Sequence, residues 1–235
     1  MVTGVACGGG EADIHGVAVR VNEATRGVES YKFEGELGVT VRVEGGDVGS
    51  SVSEGHAELE GEFVSPNKAH IWFTSGALPL DGQGGEMPPE VLFDGSRLFF
   101  RTPGSQAWQG ESSSRAISIL QGYPTLGEIT SWLFLLTDVV QEDGGMIDGV
   151  ETLHIQGSLV PQVVDRAIGA RRTGEVGVWI GRDDNLVRTA RYEIRDEFVM
   201  ALSELGGSPR PTQVWEREAE LWFSGYGEPV NIVAP

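Results

Sequence analysis

The chain has 235 residues, of which 17 are basic and 35 acidic, giving a formal charge of −18. The length suits one large domain or two small ones at roughly 100–200 residues each, and an apolar content of 40% excludes disorder on composition. Such acidity repels phosphate backbones and anionic bilayers, which excludes nucleic-acid binding and polybasic membrane docking. The 34 glycines are dispersed, which suits many tight turns and excludes collagen. The single cysteine, Cys7, excludes an intrachain disulfide and a Cys-rich metal site. It follows small Ala6 and precedes the flexible Gly8–Gly10, a setting for bacterial lipidation rather than for a catalytic thiol, which needs a structured electropositive pocket. Gly4 stands where a lipobox usually carries an aliphatic residue. Met1–Ala6 is shorter than the apolar core of a signal peptide, so most of that signal is expected to lie outside this sequence.

Ala12–Ser30 is predicted as a helix, with Ile14, Val17, Val21, Ala24 and Val28 at spacings of three and four. The period then becomes two. Tyr31–Val43 is predicted as a strand with Tyr31, Phe33, Leu37, Val39, Val41 and Val43 on one side. After the turn Gly45-Gly46-Asp47, a second strand near Gly55–Val64 pairs Ala57, Leu59 and Phe63. A third, Lys68–Thr74, pairs Ala69, Ile71 and Phe73. The Gly-rich loop Gly76–Gly85 and Pro88-Pro89 follow. Glu90–Phe93 and Arg97–Arg101 then form a hairpin about Asp94-Gly95, a strong turn signal between apolar runs.

A second helix is predicted over Leu126–Gln141, apolar nearly all round and therefore covered on more than one side. Its run Ile129–Val140 is too short to span a bilayer. Beyond the turn Asp148-Gly149, the pattern predicts a strand over Val150–Leu159 and a short helix near Gln162–Ile168. Strands follow over Val176–Gly181, over Leu186–Phe198 after the turn Asp183-Asp184-Asn185, and over Gln213–Phe223. Pro209 and Pro211 break the loop before the last strand. The fold class is α+β: a strongly curved antiparallel sheet with one apolar face, covered by two or three helices. Residues 1–10 are expected to be signal remnant, lipidation cysteine and tether, and 11–235 a single domain.

Enzyme constellations are mostly absent from the sequence, although its abundant carboxylates make some pair at catalytic distance expected by chance. It has no Gly-x-Ser-x-Gly elbow, Walker loop or dinucleotide fingerprint, and no catalytic, metal or cofactor site is predicted. His56 and His70, on successive predicted strands, can be cross-strand neighbours, and such a pair is read as a solvated sheet pair rather than a metal site. Glu34, Glu36, Glu58, Glu60 and Glu62 alternate with apolar residues and read as the wet face of the sheet. What stands out is apolar. Phe33, Leu37, Val39, Val41, Leu59, Phe63, Ile71, Phe73, Phe93, Leu98 and Phe100 can share one concave surface, which Phe198, Leu221 and Phe223 extend. Such a surface is either an ordinary core or the wall of an acyl-chain pocket, and periodicity does not choose between the two.

Five phrases in order carry a resemblance. They are Val28–Phe33 (VESYKF), Glu90–Trp108 (EVLFDGSRLFFRTPGSQAW), Leu120–Val140 followed by Ile147–Gly157 (IDGVETLHIQG), Val178–Arg191 (VWIGRDDNLVRTAR) and Phe223–Pro235 (FSGYGEPVNIVAP). Over Ala12–Pro235 the chain resembles the LppX/LprG group of bacterial lipoproteins, relatives of the LolA-type lipoprotein carriers. The resemblance implies a half-barrel wrapped around helices and enclosing a cavity for the acyl chains of lipids or glycolipids. It also implies no catalysis, attachment to the membrane outside the cytoplasm through Cys7, and an envelope transporter as a further partner. By carry-over, the inward sheet positions given above, with Trp132 and Leu136 from the covering helix, would line the cavity. The competing readings are a sensor or interaction lipoprotein of the same fold that binds a protein, and a hydrolase of envelope lipids or glycans.

Overall fold

The computed structural model describes residues 13–44, 50–79, 90–95, 97–101, 104–105, 107–111, 125–165, 170–199 and 212–233. Cys7 and its tether, the turn at 45–47, most of the Gly-rich loop, and Pro209 and Pro211 lie outside them.

Helix α1 spans Ile14–Arg26. Asp13 caps it by accepting from the Gly16 amide at 2.9 Å, and Gly27 ends it. It is shorter than predicted, because Ser30 already belongs to the first strand. One stripe, Val17, Ala18 and Val21, is buried. Six strands follow: β1 (Ser30–Glu44), β2 (Ser51–Val64), β3 (Lys68–Ala77), β4 (Glu90–Asp94), β5 (Leu98–Arg101) and β6 (Gln109–Glu111). The last was not predicted. Helix α2 (Leu126–Trp132) and the 3-10 turn Leu133–Leu135 lead into β7 (Leu136–Ile147), β8 (Val150–Asp165), β9 (Ala170–Gly181), β10 (Val187–Val199) and β11 (Thr212–Ser224).

All eleven strands form one antiparallel sheet in the order β6-β5-β4-β3-β2-β1-β11-β10-β9-β8-β7. Each strand pairs with its chain neighbours except that β6 and β7 do not pair, and β1 also meets β11, which joins the two halves at the centre. The edges β6 and β7 do not meet, so the curved sheet is a half-barrel and not a closed barrel. The pleat sets the two faces. Leu37, Val39 and Val41 are buried on the inner one, and Glu34, Glu36, Glu58 and Glu60 are exposed on the outer one. Helices α1 and α2 cover the inner face, and their buried stripes join strand residues in one core.

Two sequence expectations are corrected. The predicted helix Leu126–Gln141 is helical only to Trp132, and from Leu136 the chain is strand. Thr137, Val139 and Val140 are β-branched and resist a helix interior, and Asp138 adopts a φ of 52°, which no α-helix accommodates. The segment pairs instead with β8, from Leu136 opposite Leu159 to Ile147 opposite Val150. The all-round apolarity is thereby resolved: Leu126, Ile129, Trp132, Leu133 and Leu136 are buried, while Phe134 and Val140 face solvent. The predicted short helix at Gln162–Ile168 is strand as far as Asp165, with Gln162 opposite Arg172 and Val163 opposite Arg171. Pro161, which has no amide proton to give, sits where the register slips between Leu159 and Gln162.

A smaller cluster lies on the outer face. Leu92 and Phe99 of β4 and β5 pack with Ile232, flanked by Val64, Trp108 and Val230. The chain after β11 therefore straps back across the sheet. Its anchors are Ser30 Oγ donating to the Glu228 carbonyl at 2.5 Å and the Lys32–Glu228 ion pair at 2.9 Å.

Candidate functional site

Two rows of inward side chains cross four strands at one end of the half-barrel. One row is Tyr31, Phe63, Ala69 and Phe93; the next is Phe33, Gly61, Ile71 and Val91. Phe223 of β11 stands opposite Phe33 and extends the second row. Over these rows lies a cavity of about 670 Å³, within the roughly 300–1,000 Å³ of small-molecule sites.

The sheet side of the cavity is apolar, with Phe33, Phe63, Ala69, Ile71, Phe93 and Phe223 on its wall. The helices supply its other side, each through a triplet spaced i, i+3, i+4. Helix α1 gives Asn22, Thr25 and Arg26, and α2 gives Gly127, Thr130 and Ser131. The turn Ser65-Pro66-Asn67 between β2 and β3 completes the rim.

Two positions in these rows are small, Gly61 and Ala69. At Gly61, an added Cβ would stand 2.2 Å from Cζ of Phe33. The ring therefore lies flat across the glycine backbone, where a side chain would have lifted it into the cavity. Ala69, between Phe63 and Phe93, is a second small residue and lines the cavity. Tyr31 fixes the inner corner. It stacks on Phe63 with centroids 4.8 Å apart, meets Phe223 edge-on at 5.9 Å, and its hydroxyl accepts from the Leu126 amide at 3.3 Å. That bond ties the first turn of α2 to the sheet. Burial pushes the Tyr31 phenol above its ordinary pKa of 10, so it stays neutral at physiological pH.

The far side of α2 is held by charge. Arg172 of β9 donates to Asp196 of β10 through Nε at 2.7 Å, and through Nη1 at 2.8 Å to Glu128 of α2. Arg217 of β11 pairs with the same Asp196. Burial opposes the charge on Arg172, but its carboxylate partners outweigh burial and hold the guanidinium above its ordinary pKa. Cavity and ion network thus share α2, whose buried residues pack between them.

A larger depression, about 1000 Å³, crosses the opposite face beside Thr40, Glu175, Glu193, Arg195, Glu216 and Glu218. Its carboxylates would lose hydration against hydrocarbon, so it is not an apolar site.

Of the residues named from sequence, Phe33, Phe63, Ile71 and Phe93 line the cavity. Leu37, Val39, Val41, Leu59, Leu98, Trp132 and Leu136 are buried in the core away from it, and Phe73 and Phe100 are half-buried against that core. Tyr31, Phe223 and Ala69 were legible by parity; the helical triplets needed the tertiary arrangement. The His56–His70 pair does not form. His56 lies opposite Ala77, and His70 opposite Glu62, with His70 Nε2 2.8 Å from Glu90 Oε1. Among the described residues, no group of three or more His, Cys, Asp or Glu is placed to hold a metal ion, and no helix is long and apolar enough to cross a membrane.

No family model matches the chain, and no curated protein matches it. Solved structures do. LprF from Mycobacterium bovis superposes with a TM-score of 0.50 over 94% of this chain and 96% of its own, at 14% identity. The chain shares the LprF fold. The Mycobacterium tuberculosis lipoprotein LppX matches over 95% of this chain and 100% of its own at 17% identity, with a TM-score of 0.44. A LolA superfamily protein from Nitrosomonas europaea matches over 94% and 97% at 13% identity, with a TM-score of 0.30.

Proposed function

We propose that the cavity holds hydrocarbon chains of a lipid or glycolipid, and that the protein carries or retains such lipids in a bacterial cell envelope. The observation that carries this reading is the void of about 670 Å³ between an aromatic sheet wall and two helices. Burying one methylene is worth ~0.8 kcal/mol, so ten of them supply about 8 kcal/mol. That is comparable with the roughly 4–15 kcal/mol lost on immobilising a ligand. The fold shared with LprF supports the reading. We assign no reaction to the cavity. Its sheet wall is aromatic and aliphatic, and among the described residues that line it the hydroxyls of Thr25, Ser65, Thr125, Thr130 and Ser131 stand with no His, Asp or Glu.

The same reading places the chain outside the cytoplasm, tethered through a lipid on Cys7, with an envelope transporter as the partner that loads or unloads it. Cys7→Ala should then move the protein from the membrane fraction to the soluble fraction of cells that make it.

Ala69→Trp tests the cavity directly. The indole would stand between Phe63 and Phe93, in the cavity that Ala69 lines. Binding of a fluorescent alkyl probe should be lost at a stability cost of ~1–3 kcal/mol. A wild-type protein that takes up no alkyl probe would overturn the assignment.

A further inference from the structure

Among the described residues that line the cavity, Arg26 alone is charged at neutral pH, although the chain holds 35 carboxylates. Arg26 closes the last turn of α1 and is exposed, and it makes no ion pair with any described residue. Its neighbours along the chain, Glu23 and Glu29, do not border the cavity. Asn22 lies one helical turn earlier on the same face, and Ser65 and Asn67 face the opening from the β2–β3 turn.

Resting on the lipid-binding reading, we propose that the natural occupant is an anionic amphiphile whose carboxylate or phosphate head sits at Arg26 and Asn22 while its chain lies against Phe33, Phe63, Ile71 and Phe93. A neutral head group would bring no counter-charge to the guanidinium. A cationic head group would be repelled. The acidity of the whole molecule does not oppose this selection at short range, because distant charges are screened beyond roughly 8 Å at physiological ionic strength.

The test uses the full chain freed of lipid and a fluorescent alkyl reporter, displaced by dodecyl phosphate, by dodecanol or by inorganic phosphate. Hydrogen bonds to a charged group predict that dodecyl phosphate competes about tenfold better than dodecanol. Inorganic phosphate should displace nothing. Arg26→Gln should bring the ratio to about one, and Arg26→Lys should keep part of it. Arg20→Gln, an equal charge change on an exposed residue of α1 that does not line the cavity, should leave the ratio intact. A wild-type ratio near one, a ratio indifferent to Arg26→Gln, or displacement by inorganic phosphate would each overturn the anionic assignment. Competition by dodecanol would leave the acyl cavity standing in all three cases. Failure of the reporter and both alkyl compounds to bind would instead remove the lipid reading, and this proposal with it.

Discussion

Gly61→Ala is the smallest change that should close the cavity. A methyl group there would stand 2.2 Å from Cζ and 2.5 Å from Cε1 of Phe33, whereas carbon atoms settle at ~3.5–4.0 Å. The ring must move by at least ~1.3 Å to reach that separation. Tyr31 and Phe223 flank it, with centroids at 6.2 and 6.4 Å, and the free direction is the void that Phe33 lines. Overpacking of this kind costs ~1–3 kcal/mol. At ~2–4 °C per kcal/mol for a chain of this size, the melting temperature should fall by roughly 2–12 °C. If the displaced ring excludes about two methylenes of the occupant, some 1.6 kcal/mol is lost and affinity falls more than tenfold. Alkyl-probe titration and calorimetry on Gly61→Ala, Phe33→Ala and the double variant read both quantities. With the ring gone the three atoms nearest to the methyl group are removed, so the double variant should be more stable than the two single costs predict and should bind again. Unchanged binding by Gly61→Ala, or strictly additive costs, would refute the claim that this glycine keeps the cavity open.

Two further outcomes follow from the buried polar groups. Asp196→Ala would leave Arg172 and Arg217 without their shared carboxylate, a loss of ~3–5 kcal/mol, visible as a fall of roughly 6–20 °C in thermal melting. Burial raises the pKa of Tyr31, Tyr192 and Tyr226 above the ordinary 10. The unfolded chain therefore releases these protons first, and stability present below pH 10 should decline as the pH climbs beyond it. Spectrophotometric titration should show their phenolate absorbance rising with the loss of native circular dichroism, and free ionisation of all three in native protein would contradict the burial.

Much of the sheet was legible because alternation is a direct print of the pleat. Tyr31–Val43 shows which side of β1 is inner, and Asp94-Gly95 marks the β4–β5 hairpin, with Gly95 at a φ of 89°. The same signal was present at Asp148-Gly149. Both residues adopt positive φ, 50° and 78°, in a two-residue turn between Ile147 and Val150. Such a turn requires a strand on each side, and it argues against a helix reaching far beyond Trp132. Local apolar density around Leu133–Leu136 hid this, since a buried helix and a buried strand read alike in a short window. The cavity was legible only as a face. Leu37, Val41 and Leu59 share parity with Phe33 and Phe63, yet they pack into the core, because depth along a strand depends on where the helices end. Helix α2 is only seven residues long, and no periodicity gives where its first turn would stand above Tyr31.

The reading stands or falls on whether the protein houses foreign hydrocarbon. Native mass spectrometry of the chain purified from its own cells without detergent tests it most directly, with Ala69→Trp prepared alongside. The account predicts a mass surplus on the wild-type protein that resolves into acyl-bearing molecules and is missing from the variant. A bare wild-type mass, or an identical surplus on both proteins, would contradict it.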